Sequence, residues 1–250
     1  MKFQSPGHLI YRERWFCYLD LLGFKTLVRK GAVENVIPLY QEALNSLEEK
    51  VAPHANLGIS HSWFSDSFII FSRGDSDREF SLVEQAGRLF FQKLILRRIP
   101  VRGAITVGKL YSQLKRNIFI GEALIDAYEY GEGQDWLGFI LTPHVYKRLE
   151  MSSLNLENRA HYRAVGRPVI THPHWENVYA FAFNNALFNG DNPYLDAVRE
   201  MRKAASEDYK QKYINTEEFI LKYLPDRIGG AQMGEYPKSQ KTSELKPARA

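Results

Sequence analysis

Two carboxylates stand at the ends of apolar segments. Asp20 closes the run at residues 14–19, and Asp66 separates residues 60–64 from the strongly apolar residues 68–71. A buried strand has no structural use for a carboxylate at its end unless a positive group meets it there. Hard divalent cations are commonly held by one or two carboxylates together with substrate phosphates. The chemistry that this spacing favours is metal binding by Asp20 and Asp66.

The two acids can act together only if the segments around them are neighbours in one sheet. We predict that residues 57–72 form a hairpin with a tight turn near Asp66, and that the strand ending at Asp20 pairs with it. Both carboxylates then lie at the same edge of the sheet. Alternation along the hairpin also predicts that Ser62 and Phe64 share the face of Asp66.

The elements that follow alternate between strands and helices. Apolar residues recur at helical spacing in residues 25–50, where Pro38 predicts a kink or a break, and again in residues 78–98. Residues 101–111 predict the next strand. The order strand, helix, hairpin, helix, strand predicts an α+β sheet with its helices packed on one face.

The pattern is less regular in the second half of the chain. Residues 136–141 and 178–183 predict strands, and the second of these is expected to close the sheet. Residues 152–167 are polar and poorly periodic, which predicts a loop.

Beyond residue 184 the pattern changes to helices. Residues 193–206 and 216–224 predict two of them, the second capped by Asn215 or Thr216. Residues 229–250 are rich in Gly, Lys, Ser, Gln and Pro with few large apolar side chains, so we expect them to be disordered.

Composition limits the classes of function. The 250-residue chain is 44% hydrophobic and has a formal net charge of +4. This mild excess suits an anionic ligand such as a nucleotide but falls short of a dedicated nucleic-acid binder. The single cysteine, Cys17, excludes an internal disulfide and favours a reducing compartment. Because the sequence contains no apolar signal core and no apolar run of membrane length, we expect a cytoplasmic protein without a membrane partner.

Four stretches together resemble the catalytic domain of class III nucleotidyl cyclases. They are YLDLLGFK, SWFSDSFIIFS, VRGAITVGKLY and FIGEALIDAYEYGE, and the resemblance covers residues 12–183. It implies a ferredoxin-like βαββαβ cyclase core with added strands. The expected organisation is a cyclase-like catalytic domain at 1–184, a C-terminal helical appendage at 185–228 and a disordered tail at 229–250.

The resemblance implies two Mg²⁺ or Mn²⁺ ions per site, bridged by Asp20 and Asp66 and also bound by the backbone carbonyl of Leu21. One ion would bind the ribose 3′-oxygen and the α-phosphate, and the other the β- and γ-phosphates. The alternatives are an ordinary helix cap at Asp20 and a polar hairpin turn at Asp66. His172 and His174 lack a third ligand in the sequence, so we interpret them as exposed loop histidines.

Contacts to the triphosphate are implied at three further positions. Gly23 and Phe24 match the turn and helix start over which the triphosphate lies, where free amide groups favour anions. Arg102 corresponds to an arginine that contacts phosphate in many cyclases and joins Asp20 and Asp66 as a candidate catalytic residue. Its alternative is a strand-end arginine paired with a surface acid.

The residues that select a purine base in the family are replaced. Ser62 stands in place of the lysine, and Ile118 in place of the aspartate, or Asn117 if the alignment slips by one residue. Buried hydrogen-bonding groups reject a base that leaves them unpaired, so these changes remove the purine pocket. Ser62, Phe64 and Asn117 are the candidate contacts to a different base.

The transition-state residues also differ. Ile125 and Glu129 occupy the positions of an asparagine that orients the ribose and an arginine that stabilises the transition state. Neither side chain can do what the purine enzyme requires. The alternatives for the missing arginine are Lys115, Arg116 or a basic residue of the 159–167 loop.

Retained metal acids beside an altered base pocket favour an active enzyme with another substrate. The outline is similar to the short cyclases of the bacterial antiphage system called Pycsar, which as a group make cyclic UMP or cyclic CMP. We expect UTP, or else CTP, to be converted to the 3′,5′-cyclic nucleotide and pyrophosphate, with UTP first because it is the commoner substrate in that group. A homodimer and a separate effector protein activated by the product are also implied. The alternative is a catalytically inactive module that binds a nucleotide or a partner.

Overall fold

Strands and helices alternate through most of the chain in the computed structural model, which describes residues 10–30, 33–152, 161–183 and 192–223. The strands are β1 (Arg12–Leu21), β2 (Ser60–Phe64), β3 (Ser67–Phe71), β4 (Val101–Gln113), β5 (Ile118–Ile120), β6 (Phe139–Leu141), β7 (Tyr162–Val165) and β8 (Val178–Phe181). The α-helices are α1 (Phe24–Lys30), α2 (Val33–Val51), α3 (Asp77–Leu96), α4 (Glu122–Glu132), α5 (Pro143–Glu150), α6 (Pro193–Ala204) and α7 (Glu207–Tyr223).

The strands form one mixed sheet in the order β2-β3-β1-β4-β6-β8-β7, and β5 pairs with β4 outside that path. β1 lies between β3 and β4 and is antiparallel to both, whereas β6 runs parallel to β4. The first four strands and the helices between them have the βαββαβ order and the strand arrangement of a ferredoxin-like core. The predicted α+β fold is therefore confirmed, and β1 is an inner strand of the sheet.

Helices cover both faces of the sheet, so the prediction that they pack on one face was wrong. The odd-numbered residues 15–21 of β1 enter the larger core, to which α2, α3, α6 and α7 contribute. Phe16 and Tyr18 enter a smaller core with Ala123 and Ala127 of α4. The two alanines leave room for α4 to lie against the strand, and β1 is apolar on both sides because both of its sides are covered.

Pro38 lies within a helix and does not separate two shorter ones. α2 runs from Val33 to Val51 and continues through Pro38. Pro38 is near the N-terminal end of α2, where a proline removes only an early backbone hydrogen bond. α3 begins with a capping box, in which the Ser76 side chain accepts from the backbone N–H of Glu79 and the Glu79 side chain accepts from that of Ser76.

Two expectations about the sheet edge were also wrong. Residues 152–167, predicted as a loop, contain β7. β7, not β8, is the strand at the edge of the sheet opposite β2. β7 is only four residues long, so its sequence is too short to show a clear periodicity.

α7 begins at Glu207, nine residues before the predicted start at position 216. Asn215 and Thr216 lie inside the helix and not at its cap. The Asn215 amide donates to the Asp135 carbonyl at 2.7 Å, and the Thr216 hydroxyl accepts from the Leu137 N–H at 2.9 Å. Both polar side chains therefore tie α7 to the loop before β6.

α6 and α7 contribute to the larger core together with the sheet. The predicted boundary near residue 184 and the tail at 229–250 lie outside the described residues, so the division into catalytic domain, appendage and tail stays a prediction. None of the described helices is both long enough and apolar enough to cross a bilayer.

Candidate active site

Asp20 lies near the C-terminal end of β1, between two polar neighbours. The strand register places it opposite Ser67 on β3 and opposite Arg102 on β4, so the three side chains share one face of the sheet. The Ser67 hydroxyl is 3.5 Å from Asp20 Oδ1, and Arg102 Nη2 is 3.5 Å from Oδ2. The Tyr18 hydroxyl in turn lies 3.1 Å from Ser67 Oγ. Asp20 is 9% exposed, yet both of these contacts are long.

The β2–β3 hairpin brings Asp66 to the same edge. Phe64 pairs with Ser67 across a turn of two residues, Ser65 and Asp66, and Ser65 has the left-handed backbone that such turns need (φ 55°). The Leu21 N–H donates to the Asp66 carbonyl at 3.0 Å, which joins the turn to the residue after Asp20. The structure thus brings the two acids together at one edge.

The carboxyl group of Asp20 is in a poor environment for a negative charge. Burial raises its pKa to about 7, against an opposing effect of Arg102, and the charges of Glu132 and Asp66 raise it further. Burial is also the main cause of the raised pKa of Tyr40, to which Asp66 adds. A cation at this edge would relieve the repulsion between the acids.

Arg102 is anchored to the end of α4. Its Nη2 lies 2.5 Å from Glu132 Oε1, and its Nη1 donates to the carbonyls of Glu132 at 2.9 Å and Gln134 at 3.3 Å. Its Nε is buried and has no hydrogen-bond partner. In this arrangement Arg102 orients Asp20, and most of its donors are already used within the chain. Glu132 carries no signal in the sequence, because no motif marks which acid will meet a strand-end arginine.

The donor set at this edge fits a hard divalent cation. Each oxygen of Asp20 has its nearest described donor at 3.5 Å, so the buried carboxylate is left without a close partner. Within the described ranges no group of three or more His, Cys, Asp or Glu residues could hold a metal ion alone. Asp20 and Asp66 would therefore need other oxygen ligands. The Leu21 carbonyl is one candidate, since the Leu21 backbone lies beside the Asp66 turn.

The Gly23 turn follows directly after β1. Gly23 has a left-handed backbone (φ +76°), and nothing lies within 4 Å of where a Cβ would be, so the conformation and not the space requires glycine. Phe24 begins α1 and packs its ring 6.0 Å from that of Tyr40. Behind the turn lies a cavity of about 500 Å³. It is lined by Leu22 and Gly23 and by residues of α6 and α7.

The predicted base contacts come from two parts of the chain: Ser62 and Phe64 lie on β2, and Asn117 lies in the turn before β5. The Ser62 hydroxyl donates to Asn117 Oδ1 at 2.8 Å, although the two residues are far apart in sequence. The β2–β3 register places Ser62 and Phe64 on the same face as Ser67, which is also the face of Asp20. Phe64 is 78% exposed. Ser62 and Asn117 thus form one polar contact, with Phe64 free at the surface beside it.

The α4 positions that correspond to the family's ribose and transition-state residues are exposed. Ile125 is 59% exposed, and the Glu129 carboxylate lies 3.8 Å from His172 Nε2. His172 Nδ1 accepts from the His174 N–H at 3.2 Å, which leaves Nε2 as the ring nitrogen on the side of Glu129. His172 also stacks on Tyr130 at 3.9 Å. The prediction of an exposed loop histidine was therefore wrong for His172 and right for His174.

The predicted replacements for the missing arginine do not converge on this position. Lys115 and Arg116 are exposed in the turn after β4. In the 161–183 range, Arg163 Nη1 donates to the Tyr162 carbonyl and its guanidinium lies over the ring of Tyr223. Residues 153–160 of the same predicted loop are not among those described.

Comparisons with known proteins give a match in structure alone. No protein-family model matches the chain, and no curated protein matches it in sequence. The adenylyl cyclase CyaB from P. aeruginosa superposes with a TM-score of 0.55 and 11% identity, over 73% of this chain and 100% of that one. The guanylyl cyclase Cya2 gives 0.51 and 13%, over 74% and 98%. A bacterial light-regulated adenylyl cyclase gives 0.52 and 15%, over 79% and 57%. The fold of this chain is therefore that of an adenylyl or guanylyl cyclase domain.

Proposed function

We propose that the protein is a nucleotidyl cyclase that converts a pyrimidine nucleoside triphosphate, UTP ahead of CTP, to its 3′,5′-cyclic monophosphate and pyrophosphate. The observation that carries the proposal is the pair of acids at one sheet edge, where Asp20 is buried without a close partner and the Asp66 turn is hydrogen-bonded to Leu21. Such a pair is of use only when a cation and its phosphate ligands complete it.

The side chains around the edge have distinct roles in this proposal. Asp20, Asp66 and the Leu21 carbonyl would hold two Mg²⁺ or Mn²⁺ ions, which lower the pKa of the ribose 3′-hydroxyl and neutralise charge on the phosphates when bound. Arg102 is anchored by Glu132 and keeps the Asp20 carboxylate in place. Gly23 and Phe24 are the residues proposed to lie under the triphosphate.

The choice of a pyrimidine rests on the base contacts. Ser62 and Asn117 replace the ionisable pair of the purine cyclases with a neutral pair joined by a 2.8 Å hydrogen bond. Such a pair offers one hydroxyl and one amide, and can both donate to and accept from the edge of a uracil or cytosine ring. Phe64, exposed on the same face, can cover the base.

The proposed biological role is the production of a second messenger. The outline that the sequence shares with Pycsar cyclases supports a part in antiphage defence, where a separate effector protein would respond to the cyclic nucleotide. The protein would act as a homodimer, with Asp20 and Asp66 of one copy facing α4 of the other. This arrangement gives the exposed Ile125 and Glu129 a place at the site.

The direct test is product analysis. The purified chain is incubated with ATP, GTP, CTP and UTP separately in the presence of Mn²⁺, and the products are separated by chromatography. We expect cyclic UMP, or else cyclic CMP, and no cyclic purine nucleotide. Asp20→Asn and Asp66→Asn should each remove the product while the protein stays folded. Near-normal turnover in either variant would refute the metal assignment, and a lack of cyclic product from all four substrates would refute the enzyme.

The second candidate is a cyclase-like module that binds a nucleotide without turnover. Glu129 favours it, because an acid stands where the purine enzymes carry a transition-state arginine, and its described partner is His172. A titration of each nucleoside triphosphate into the chain, with Ca²⁺ in place of Mn²⁺, separates the two. Binding of one nucleotide combined with no turnover in Mn²⁺ identifies the module.

A further inference from the structure

A polar cavity, distinct from the cavity behind Gly23, lies at the opposite end of β1 from Asp20. It has a volume of about 270 Å³, and three arginines line it: Arg12, Arg14 and Arg73. Ser60 and Ser112 add hydroxyl groups to the same wall. Arg14 and Asp20 lie on the same face of β1 and are six residues apart, about 20 Å along the strand. The cavity is thus separate from the candidate active site.

Arg14 is buried without an ion-pair partner among the described residues. It is 8% exposed, its Nη1 donates to Ser112 Oγ at 3.0 Å, and its Nε is buried with no partner. Its guanidinium also lies over the ring of Phe71, with 5.9 Å between the guanidinium carbon and the ring centroid. A buried cation ordinarily requires a paired anion, because removing a charge from water is costly. Of the described acids, Glu79 favours the Arg14 cation through its charge, but it makes no ion pair with Arg14.

The acid near Arg14 is hydrogen-bonded to other groups. Glu79 is close enough for its charge to affect Arg14, but its oxygens accept from the N–H groups of Gly74 and Ser76. Among the described residues, none of the three cavity arginines takes part in an ion pair with a side chain. Burial lowers the pKa of Arg14, and the neighbouring charge of Arg12 lowers it further. Residues 1–9, which precede β1, contain no Asp or Glu.

We propose that this cavity is a binding site for a small phosphate-class anion, held by Arg12, Arg14 and Arg73 with the help of Ser60 and Ser112. Guanidinium groups bind phosphate through paired hydrogen bonds, and several of them around one cavity make up for the loss of water. The volume suits orthophosphate or pyrophosphate, or the phosphate of a nucleotide, but is below the usual range for a whole drug-sized ligand. A bound anion would link β1 to β2, β3 and β4, and would stabilise the folded state.

The test is a calorimetric titration of orthophosphate, pyrophosphate and UMP into the full chain in EDTA, with the melting temperature measured in parallel. We expect saturable binding, a rise in melting temperature with anion concentration, and affinities that identify whether free phosphate or a nucleotide phosphate is the better ligand. Arg12→Gln and Arg73→Gln change exposed side chains and should each weaken binding about tenfold without loss of the fold. Arg78→Gln, an exposed arginine on α3 on the other face of the sheet, should leave binding unchanged.

Substitution of the buried Arg14 provides a second test of anion binding. Arg14→Met removes an unpaired cation, so it should abolish binding and leave the melting temperature in EDTA unchanged or higher. Absence of saturable binding by all three probes, or equal affinities in Arg12→Gln, Arg73→Gln and the wild type, would overturn the proposal. Because the titration contains EDTA and needs no turnover, its result is independent of the cyclase activity.

Discussion

Asp20 illustrates at the scale of one residue how a candidate metal ligand is kept at a cost in stability. In the unfolded chain an aspartate has a pKa of about 4, whereas burial, Glu132 and Asp66 raise it to about 7 in the folded chain. Below pH 4 the carboxyl group is neutral in both states and costs nothing. Between pH 4 and pH 7 the unfolded chain ionises while the folded state resists ionisation, so stability is lost progressively across this range, and above pH 7 the loss is complete.

The variant Asp20→Asn should therefore be more stable than the wild type at pH 8 in EDTA, and about equally stable at pH 4. Asparagine keeps the shape of the side chain but carries no charge, and Arg102 keeps its contact with Glu132. Mn²⁺ should raise the melting temperature of the wild type at pH 8 and not that of Asp20→Asn. Melting curves across pH provide the measurement. Glu218→Gln, an exposed acid on α7, serves as the control, and a lower stability of Asp20→Asn at pH 8 would contradict the expectation.

At the scale of elements, the sequence predicts what depends on local pattern. The β1 run, the hairpin at Asp66 and the α3 stripe are clear in the sequence, so the α+β fold and the meeting of Asp20 with Asp66 could be inferred without coordinates. The ferredoxin-like core was implied by the resemblance to class III cyclases. The early start of α7 could not be inferred from the sequence, because the Thr216 hydroxyl can serve either as a helix cap or as a hydrogen-bond partner for Leu137. Sequence pattern also gives no measure of tertiary neighbours, which is why Glu132 was missed.

Two glycines at the ends of elements should respond differently to alanine. Gly23→Ala places a Cβ in open space on a left-handed backbone, so it should cost about 1 kcal/mol from strain alone. At Gly121, before α4, the new Cβ would clash with the backbone oxygen of Lys109 in β4. Relief requires α4 to move away from the sheet, and we expect a loss of about 3 kcal/mol.

Urea unfolding of the two glycine variants measures both effects. The cyclase-like core should survive in Gly23→Ala with an unchanged m-value. Gly121→Ala should also lose contacts of α4 with β1, which a lowered near-ultraviolet signal would report. Equal losses in the two variants would show that α4 is not held against β4 as closely as the structure has it.

At the scale of the whole molecule, several exposed apolar side chains lie on β2, β5, α4 and the turn after β4. They are Phe64 on β2, Leu114 in the turn after β4, Ile120 on β5, and Ile125 and Tyr128 on α4. A single exposed apolar side chain is ordinary, whereas several of them are typical of an interface. A second copy of the chain is the occupant that the homodimer proposal requires.

Ile125→Asp should accordingly turn a dimer into a monomer. The side chain is exposed in the single chain, so an acid there does not disturb the fold, but burial of its charge between two copies would weaken association by a factor of about 100 or more. Leu221→Asp, at an exposed apolar position on α7, is the matched control and should leave the mass unchanged. Sedimentation velocity over a range of concentrations reports the mass. If sites are shared between copies, turnover per chain in Ile125→Asp should fall in parallel with the dimer fraction, and a monomeric wild type with full turnover would refute a shared site.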